Sequence, residues 1–423
     1  MKKIIFTAFT FGLTFNSIAQ TVALDPSFNT NGKVTTAIGN ADDDILSVAV
    51  QSDGKIVVSG DTDNGSNTDI GVVRYNSDGS LDNSFGNNGK VTTDFGNGDD
   101  SGQSIAIQAD GKIVVAGYVT ISGDGDFGVV RYKTNGTLDS TFGTFGKVHT
   151  DFGSIYDSGN SLIIQSDGKI VVSGSHFNGS NSDYALARYN NDGSLDATFG
   201  TAGKVTMTMG TGDDEALSLK IQSDGKIVAA GLSYDNSGAN YSLARYNSNG
   251  SLDNTFAFGG KLITTIGTSH DYGVSLAIQN DGKLVIASTS GSSSADGIFT
   301  VIRYNQSDGS LDNTFGTNGK VTTDFGGLND LCKSIVIQSD GKILVTGGIE
   351  NGSNLEFVLV RYNTNGSLDN TFGVGGKLTT AIGASNSAAE TIAIQTDGKI
   401  IIAGGSSNGS NYDFAVARYT NTS

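Results

Sequence analysis

Short runs of Val, Ile and Leu alternate along the chain with clusters of Gly, Asn, Asp and Ser, and nothing in the pattern suggests long helices. Between Asp100 and Phe152 four such runs read as strands: SIAIQ (Ser104 to Gln108), KIVVAG (Lys112 to Gly117), FGVVRY (Phe127 to Tyr132) and GKVHTDF (Gly146 to Phe152). The first has two faces, with Ser104, Ala106 and Gln108 on one side and Ile105 and Ile107 on the other. A sheet with one small and one bulky face can stack against neighbours on both sides. Asp-Gly separates the first two strands here and again at 53–54, 167–168, 224–225, 281–282, 340–341 and 397–398. The dipeptide predicts a two-residue hairpin turn, which needs positive backbone angles.

This four-strand unit recurs. The motif LDxxF, followed five residues later by Lys, starts at Leu24, Leu81, Leu138, Leu195, Leu252, Leu311 and Leu368, at spacings of 57, 57, 57, 57, 59 and 57 residues. A period of that length built from strands is a propeller blade or a solenoid coil. The ends of the chain favour the ring. The last unit has only three strands, ending in FAVARY, whereas Lys33 to Ile38 at the other end is a fourth strand with no first three before it. Paired beside Phe414 to Tyr419, it would close the ring and remove both free edges, a liability of open sheets. The expectation is an all-β, seven-bladed β-propeller of four-stranded antiparallel blades, closed by an N-terminal strand that completes the last blade.

Composition adds the compartment. Lys2 and Lys3 precede an apolar run and Ser17-Ile18-Ala19 supplies small residues for cleavage, so residues 1–19 read as a secretory signal peptide and 20–423 as a single propeller domain. That apolar run is too short to span a bilayer, so no membrane insertion is expected and the mature chain should be secreted: periplasmic, cell-surface or extracellular. The single Cys332 cannot form an internal disulfide. Sixty Gly, one Pro and no Trp suit many tight turns between short strands.

The motifs QxDGKIxxxG, ARY or VRY, and NGSLDxTFGxxGK together resemble the delta-60 repeat, a β-propeller repeat of unknown function in exported bacterial proteins, over residues 24–419. The resemblance implies the propeller fold and export, and no activity.

Charge narrows the function classes. All seven Arg stand in the Arg-Tyr pair of the third strand, seven Lys follow Asp-Gly, and seven more lie in the LDxxF-to-GK segment. Net charge goes from −17 to −19 once Lys2 and Lys3 leave with the signal. A chain without a free basic cluster does not suit nucleic acid or anionic lipid. Because guanidinium and carboxylate match bidentately, each Arg is expected to bond the Asp of the following LD, a structural role. The pairs are Arg74 with Asp82, Arg131 with Asp139, Arg188 with Asp196, Arg245 with Asp253, Arg303 with Asp312, Arg361 with Asp369 and, across the closure, Arg418 with Asp25. The alternative is a set of exposed pairs worth about 0–1 kcal/mol each.

In a propeller, the links between strands two and three share a face with the loops between blades, and here those links vary in sequence while the turns on the other face repeat. Recognition is expected on the variable, acidic face. Asp43, Asp100, Asp157, Asp214, Asp271 and Asp330 stand eight residues before the Gln of strand one in six units, with Ser387 in the seventh. They are expected to ring one mouth of the channel. Such a ring can hold a hard cation such as calcium, or a cationic partner, weakly; the other reading is that Asp simply caps a turn or strand there.

Catalytic signals are sparse. His149, His176 and His270 lie in three different units without metal-ligand spacing and read as surface residues, and Cys332 reads as a packed thiol. No catalytic and no cofactor-binding residue is assigned, and the chain is expected to be a monomeric binding module for an extracellular protein or glycan. The rival reading is an extracellular hydrolase or lyase acting on a polysaccharide or glycoside through carboxylates of the variable face.

Overall fold

A computed structural model describes residues 22–236, 238–265, 270–291, 296–327, 330–352 and 354–421, with the side chains of His270 and Asp271 outside it. The expected signal peptide, 1–19, lies outside the described residues. The remainder forms seven four-stranded antiparallel sheets. In the first blade the strands are Asp43–Val50, Ile56–Asp63, Thr68–Tyr75 and Lys90–Thr93, from the inside out. Inner strands touch in cyclic order and the last meets the first, so the sheets close a ring.

The closure uses the N-terminal strand. Lys33–Thr36 pairs antiparallel with Tyr412–Tyr419, in the register Lys33 to Ala417 and Thr36 to Phe414, completing the blade of Ser387–Ile394 and Ile400–Ser407. Phe28, Val58, Tyr75, Ile401 and Phe414 share one buried cluster across the junction. Each such cluster spans two neighbouring blades, so the interior is seven seams rather than one centre. The motif aromatics explain why. Tyr75 and Phe85 are fully buried, worth about 1.5–3 kcal/mol for a side chain of that size. The Tyr75 hydroxyl also bonds Thr36 Oγ1 of the preceding blade at 2.9 Å, and Tyr132 bonds Thr93 in the same way at 2.7 Å.

Two local details differ from the sequence expectation. The Asp-Gly turn is a three-residue loop, with Gly54 N–H on Gln51 O and Gln51 N–H on Lys55 O, both at 2.9 Å. Only Gly54 is left-handed, at φ 84°, while Asp53 accepts the Lys55 N–H on its carboxylate. This is a type I turn with a glycine bulge, the next commonest hairpin connection. Secondly, the inner strand of the second blade starts at Ser101, not Ser104, and a β-bulge intervenes between those residues. The backbone comes close to Gly117 opposite the bulge, where a Cβ would lie 1.8 Å from Ser101 O. In the fifth blade Ser288 stands in place of that glycine, and the irregularity, Tyr272/Ser275, has the same span.

Candidate functional site

On the repetitive face every charged motif is used internally. Arg74 Nε donates to Asp82 Oδ2 at 2.8 Å, Lys55 Nζ reaches the same oxygen at 3.1 Å, and Asp82 Oδ1 accepts the N–H and hydroxyl of Ser84. The guanidinium carbon lies 4.4 Å from the centre of the Phe85 ring. Another guanidinium N–H reaches the carbonyl of Thr134, in the next blade, at 2.5 Å. Arg131–Asp139 at 2.9 Å, Arg188–Asp196 at 2.8 Å, Arg245–Asp253 at 2.7 Å, Arg303–Asp312 at 2.7 Å and Arg361–Asp369 at 2.8 Å follow the same plan. Arg418–Asp25, at 2.9 Å, joins the two ends of the chain.

The geometry is not the bidentate fork expected. One carboxylate oxygen is taken by Ser or Thr, so Arg and Lys converge on the other. Burial works to raise the Asp25 pKa, but Ser27, Lys399 and Arg418 outweigh it and hold the group at about 2.

The variable links do share a face with the interblade loops: Thr68 N–H donates to Asp99 Oδ1 at 3.0 Å, and Ser182 N–H to Asp213 Oδ1 at 2.8 Å. Asp42, Asp44, Asp94, Asp99, Asp124, Asp151, Asp213 and Asp324 are exposed there.

Among the described residues, the predicted Asp ring does not line a channel mouth. Asp43, Asp100, Asp157, Asp214 and Asp330 are all 0 % exposed, as is Ser387. Each stands at the start of an inner strand or next to it and turns back into its blade. There its Oδ2 accepts the N–H of the residue five before it: Ile38, Phe95, Phe152, Met209 and Phe325, at 2.6–2.8 Å. The side chain of Asp271, the sixth member, lies outside the described residues.

Four of the five meet a second carboxylate, whereas Asp330 has both Asp324 and Lys377 near it. Asp413 faces Asp43, Asp69 faces Asp100, Asp126 faces Asp157 and Asp183 faces Asp214, each pair meeting at a seam between blades. Desolvation, followed in smaller measure by the facing carboxylate, pushes Asp43 and Asp214 up; at Asp100 desolvation, then Asp94 and then Asp69, carry the group to about 6. The Oδ1 atoms of Asp43, Asp69, Asp183 and Asp413 have neither solvent nor a hydrogen-bond partner. Sequence reasoning missed the second member of each pair. The signal was present: an acidic residue stands five before the Arg of Arg-Tyr at Asp69, Asp126, Asp183, Glu356 and Asp413.

Two of the three histidines touch this system, His149 from the surface, as expected, and His176 from a largely covered position. His149 Nδ1 lies 2.7 Å from Asp126 Oδ2, and His176 Nδ1 lies 2.9 Å from Asp157 Oδ1. The half-exposed Tyr156 stacks against Tyr118 nearby, with ring centres 5.7 Å apart. Cys332 is fully buried, and burial pushes its thiol far up, the opposite of an activated nucleophile.

The channel is lined by hydroxyls. Ser47, Ser104, Ser161, Ser218 and Ser275 each accept an inner-strand N–H of the next blade at 3.1–3.3 Å. They border a cavity of about 590 Å³. The bulge residues also face it, among them Gln103, Asn160 and the ion pair Lys333–Glu390 at 3.0 Å. Lys220 keeps solvent contact there, yet protein surrounds it and desolvation lowers its pKa.

A family model described as domain of unknown function (DUF5122) beta-propeller matches residues 51–85, 108–142, 165–199, 222–256, 279–315, 338–372 and 395–422. Among curated proteins, none matches the sequence. Of solved structures, the polysaccharide lyase Uly1 superposes with a TM-score of 0.51 at 10 % identity, covering 89 % of each chain. A protein of unknown function from Dyadobacter fermentans DSM 18053 gives 0.48 at 10 % identity, covering 92 % of this chain and 98 % of that one. Sqt1 from Chaetomium thermophilum, bound to the N-terminus of the ribosomal protein L10, gives 0.47 at 12 % identity, covering 88 % and 86 %. At 10 % identity the likeness to Uly1 is one of fold alone.

Proposed function

We propose that the chain, which belongs to the DUF5122 β-propeller family, is a secreted, monomeric binding module whose ligand, an extracellular protein or glycan, docks on the acidic variable face. The observation that carries this reading is the contrast in charge use. On the repetitive face each LD carboxylate is matched by an Arg and a Lys, whereas the exposed Asp42, Asp99, Asp213 and Asp324 have no cation on their side chains among the described residues. A face of unmatched carboxylates on a rigid ring suits a cationic or hydroxyl-rich partner. Export is supported by Lys2, Lys3, the apolar run after them and the Ser17-Ile18-Ala19 site, and by the delta-60 resemblance. No described helix is long and apolar enough to cross a membrane. Neither nucleic acid nor a catalytic cofactor enters this proposal.

The test is a peptide and glycan binding screen on the mature protein, repeated with Asp42, Asp99, Asp213 and Asp324 changed to Asn. Binding lost in that variant and kept when Asn249 and Ser251, exposed in a strand-three-to-four turn of the opposite face, are altered supports the reading. The reverse pattern overturns it.

A second reading, hydrolase or lyase, is favoured by the off-repeat group His149, His176, Tyr118 and Tyr156 around buried Asp126 and Asp157. It ranks second because Asp157 is committed: its oxygens already hold Phe152 N–H, Ser154 Oγ and His176 Nδ1. Breakdown of a polysaccharide that disappears in Asp126→Asn would reverse the order.

A further inference from the structure

We propose that Asp69, Asp94 and Asp100, brought together between the first and second blades, form a binding site for a divalent hard cation of the calcium type. Asp69 comes from the third strand of one blade, Asp94 follows its fourth strand, and Asp100 immediately precedes the inner strand of the next blade. One oxygen from each lies within 4.8 Å of the other two; the carboxylates of Asp69 and Asp100 are buried and that of Asp94 is exposed. All-oxygen donors at such spacing fit a hard cation, with waters completing a shell of six to eight ligands.

A second observation points the same way. Asp69 Oδ1 is closed off from solvent and has no hydrogen-bond partner, while Asp69 Oδ2 accepts only Asn64 Nδ2 at 3.0 Å. A buried anionic oxygen left without a donor is costly, and a cation is the group that would satisfy it. The fully buried Asp100 accepts one backbone N–H on each oxygen, from Phe95 on Oδ2 at 2.6 Å and from Thr120 on Oδ1 at 3.1 Å, and keeps acceptor capacity on both. Asp94 accepts Gly96 N–H at 2.6 Å and leaves the site open to solvent on its side. The ammonium of Lys147 bonds the backbone carbonyl of Asp94 and lies over the Phe95 ring, 5.2 Å from its centre, instead of meeting the carboxylates.

The next seam is an internal control. Asp126, Asp151 and Asp157 occupy the same three positions with the same spacing. There His149 stands where the fourth strand has Thr92 one blade earlier, and it bonds Asp126; His176 bonds Asp157. Imidazoles fill that seam, whereas among the described residues no imidazole meets the carboxylates of the first. Magnesium, smaller and slow to shed water, suits this irregular set less well than calcium.

The site opens toward the variable face at Asp94, but its carboxylates meet within a seam and its test needs no partner. The experiment is calorimetric titration of the chelator-treated mature protein with calcium, alongside thermal melts. Calcium at ten times Kd should raise Tm by about 2 °C, with magnesium giving less. Asp94→Asn, a surface change that leaves the buried residues in place, should weaken calcium binding about tenfold or more. Asp69→Asn should do the same, and Asp151→Asn, at the matching position of the control seam, should leave the affinity unchanged. Absence of calcium binding in the unaltered protein overturns the assignment, as does an affinity that Asp94→Asn leaves intact or that Asp151→Asn lowers equally.

Discussion

Asp25 and Asp100 are both buried aspartates at a junction between blades, yet their pKa values lie at about 2 and about 6. Desolvation opposes ionisation at both. At Asp25 it is outweighed by Ser27, Lys399 and Arg418, whereas Asp100 has two backbone N–H groups against the charges of Asp94 and Asp69. The difference divides the molecule into a face whose charges hold the ring together and a face whose charges stand in conflict. A carboxylate that already has two cations is unavailable to a ligand; one beside other carboxylates has an unmet requirement.

The largest effect should come from removing the matched charge. Asp25→Ala leaves Arg418 and Lys399 without their carboxylate at the point where the chain closes, and should cost about 3–5 kcal/mol by denaturant titration. Asp100→Asn removes a charge from beside Asp69 and Asp94 but leaves the N–H of Phe95 or of Thr120 without its acceptor, so the two effects offset and at pH 7 the loss should stay below about 1–3 kcal/mol. A loss of the same size in both variants breaks the comparison. Within the matched pair, Asp25→Asn and Arg418→Gln made singly and together should be non-additive, since the second change removes a partner already gone.

Next in size is pH dependence, for which the two classes have opposite signs. The folded pKa of Asp25 is depressed, so its contribution is present above the ordinary value of 3.8 and is lost as pH falls toward about 2. The folded pKa of Asp100 is raised, so its contribution is complete below 3.8 and is lost as pH rises through about 6. Melting temperature should therefore peak between those limits rather than at neutrality. Asp100→Asn should flatten the high-pH limb, a change of roughly 1–3 kcal/mol. A profile flat from pH 4 to 7 would count against the raised pKa.

The smallest effect expected is that of His149→Thr, which gives the second seam the residue found at that place in the first. Stability should change by less than about 1 kcal/mol, because the imidazole is half-exposed. A second calcium equivalent in calorimetry would sharpen the contrast between the seams; a single equivalent would show that the histidine alone does not set it.

The sequence made the ring legible because period and strand complementarity are one-dimensional properties: the orphan strand at Lys33 and the three-stranded last unit could be matched without coordinates. The direction of the Asp43 series was not legible. A bulge follows the start of each inner strand, so alternation counted back from Ser104 assigns the wrong face to the residues before it, and Asp100 turns inward instead of toward the channel. The pairing of Asp69 with Asp100 was harder to see. It joins residues 31 apart on different blades, and only the alignment of acids five before each Arg would have suggested it. The Arg–Asp spacing of eight was readable, but the shared single oxygen was not, since it depends on Ser84 holding the other.

The most direct test of the division between the two faces is a carboxyl NMR titration of Asp25 and Asp100 in the mature protein with chelator present. The account predicts midpoints near pH 2 for Asp25 and near pH 6 for Asp100. Two midpoints together near the ordinary value of 3.8 would contradict it.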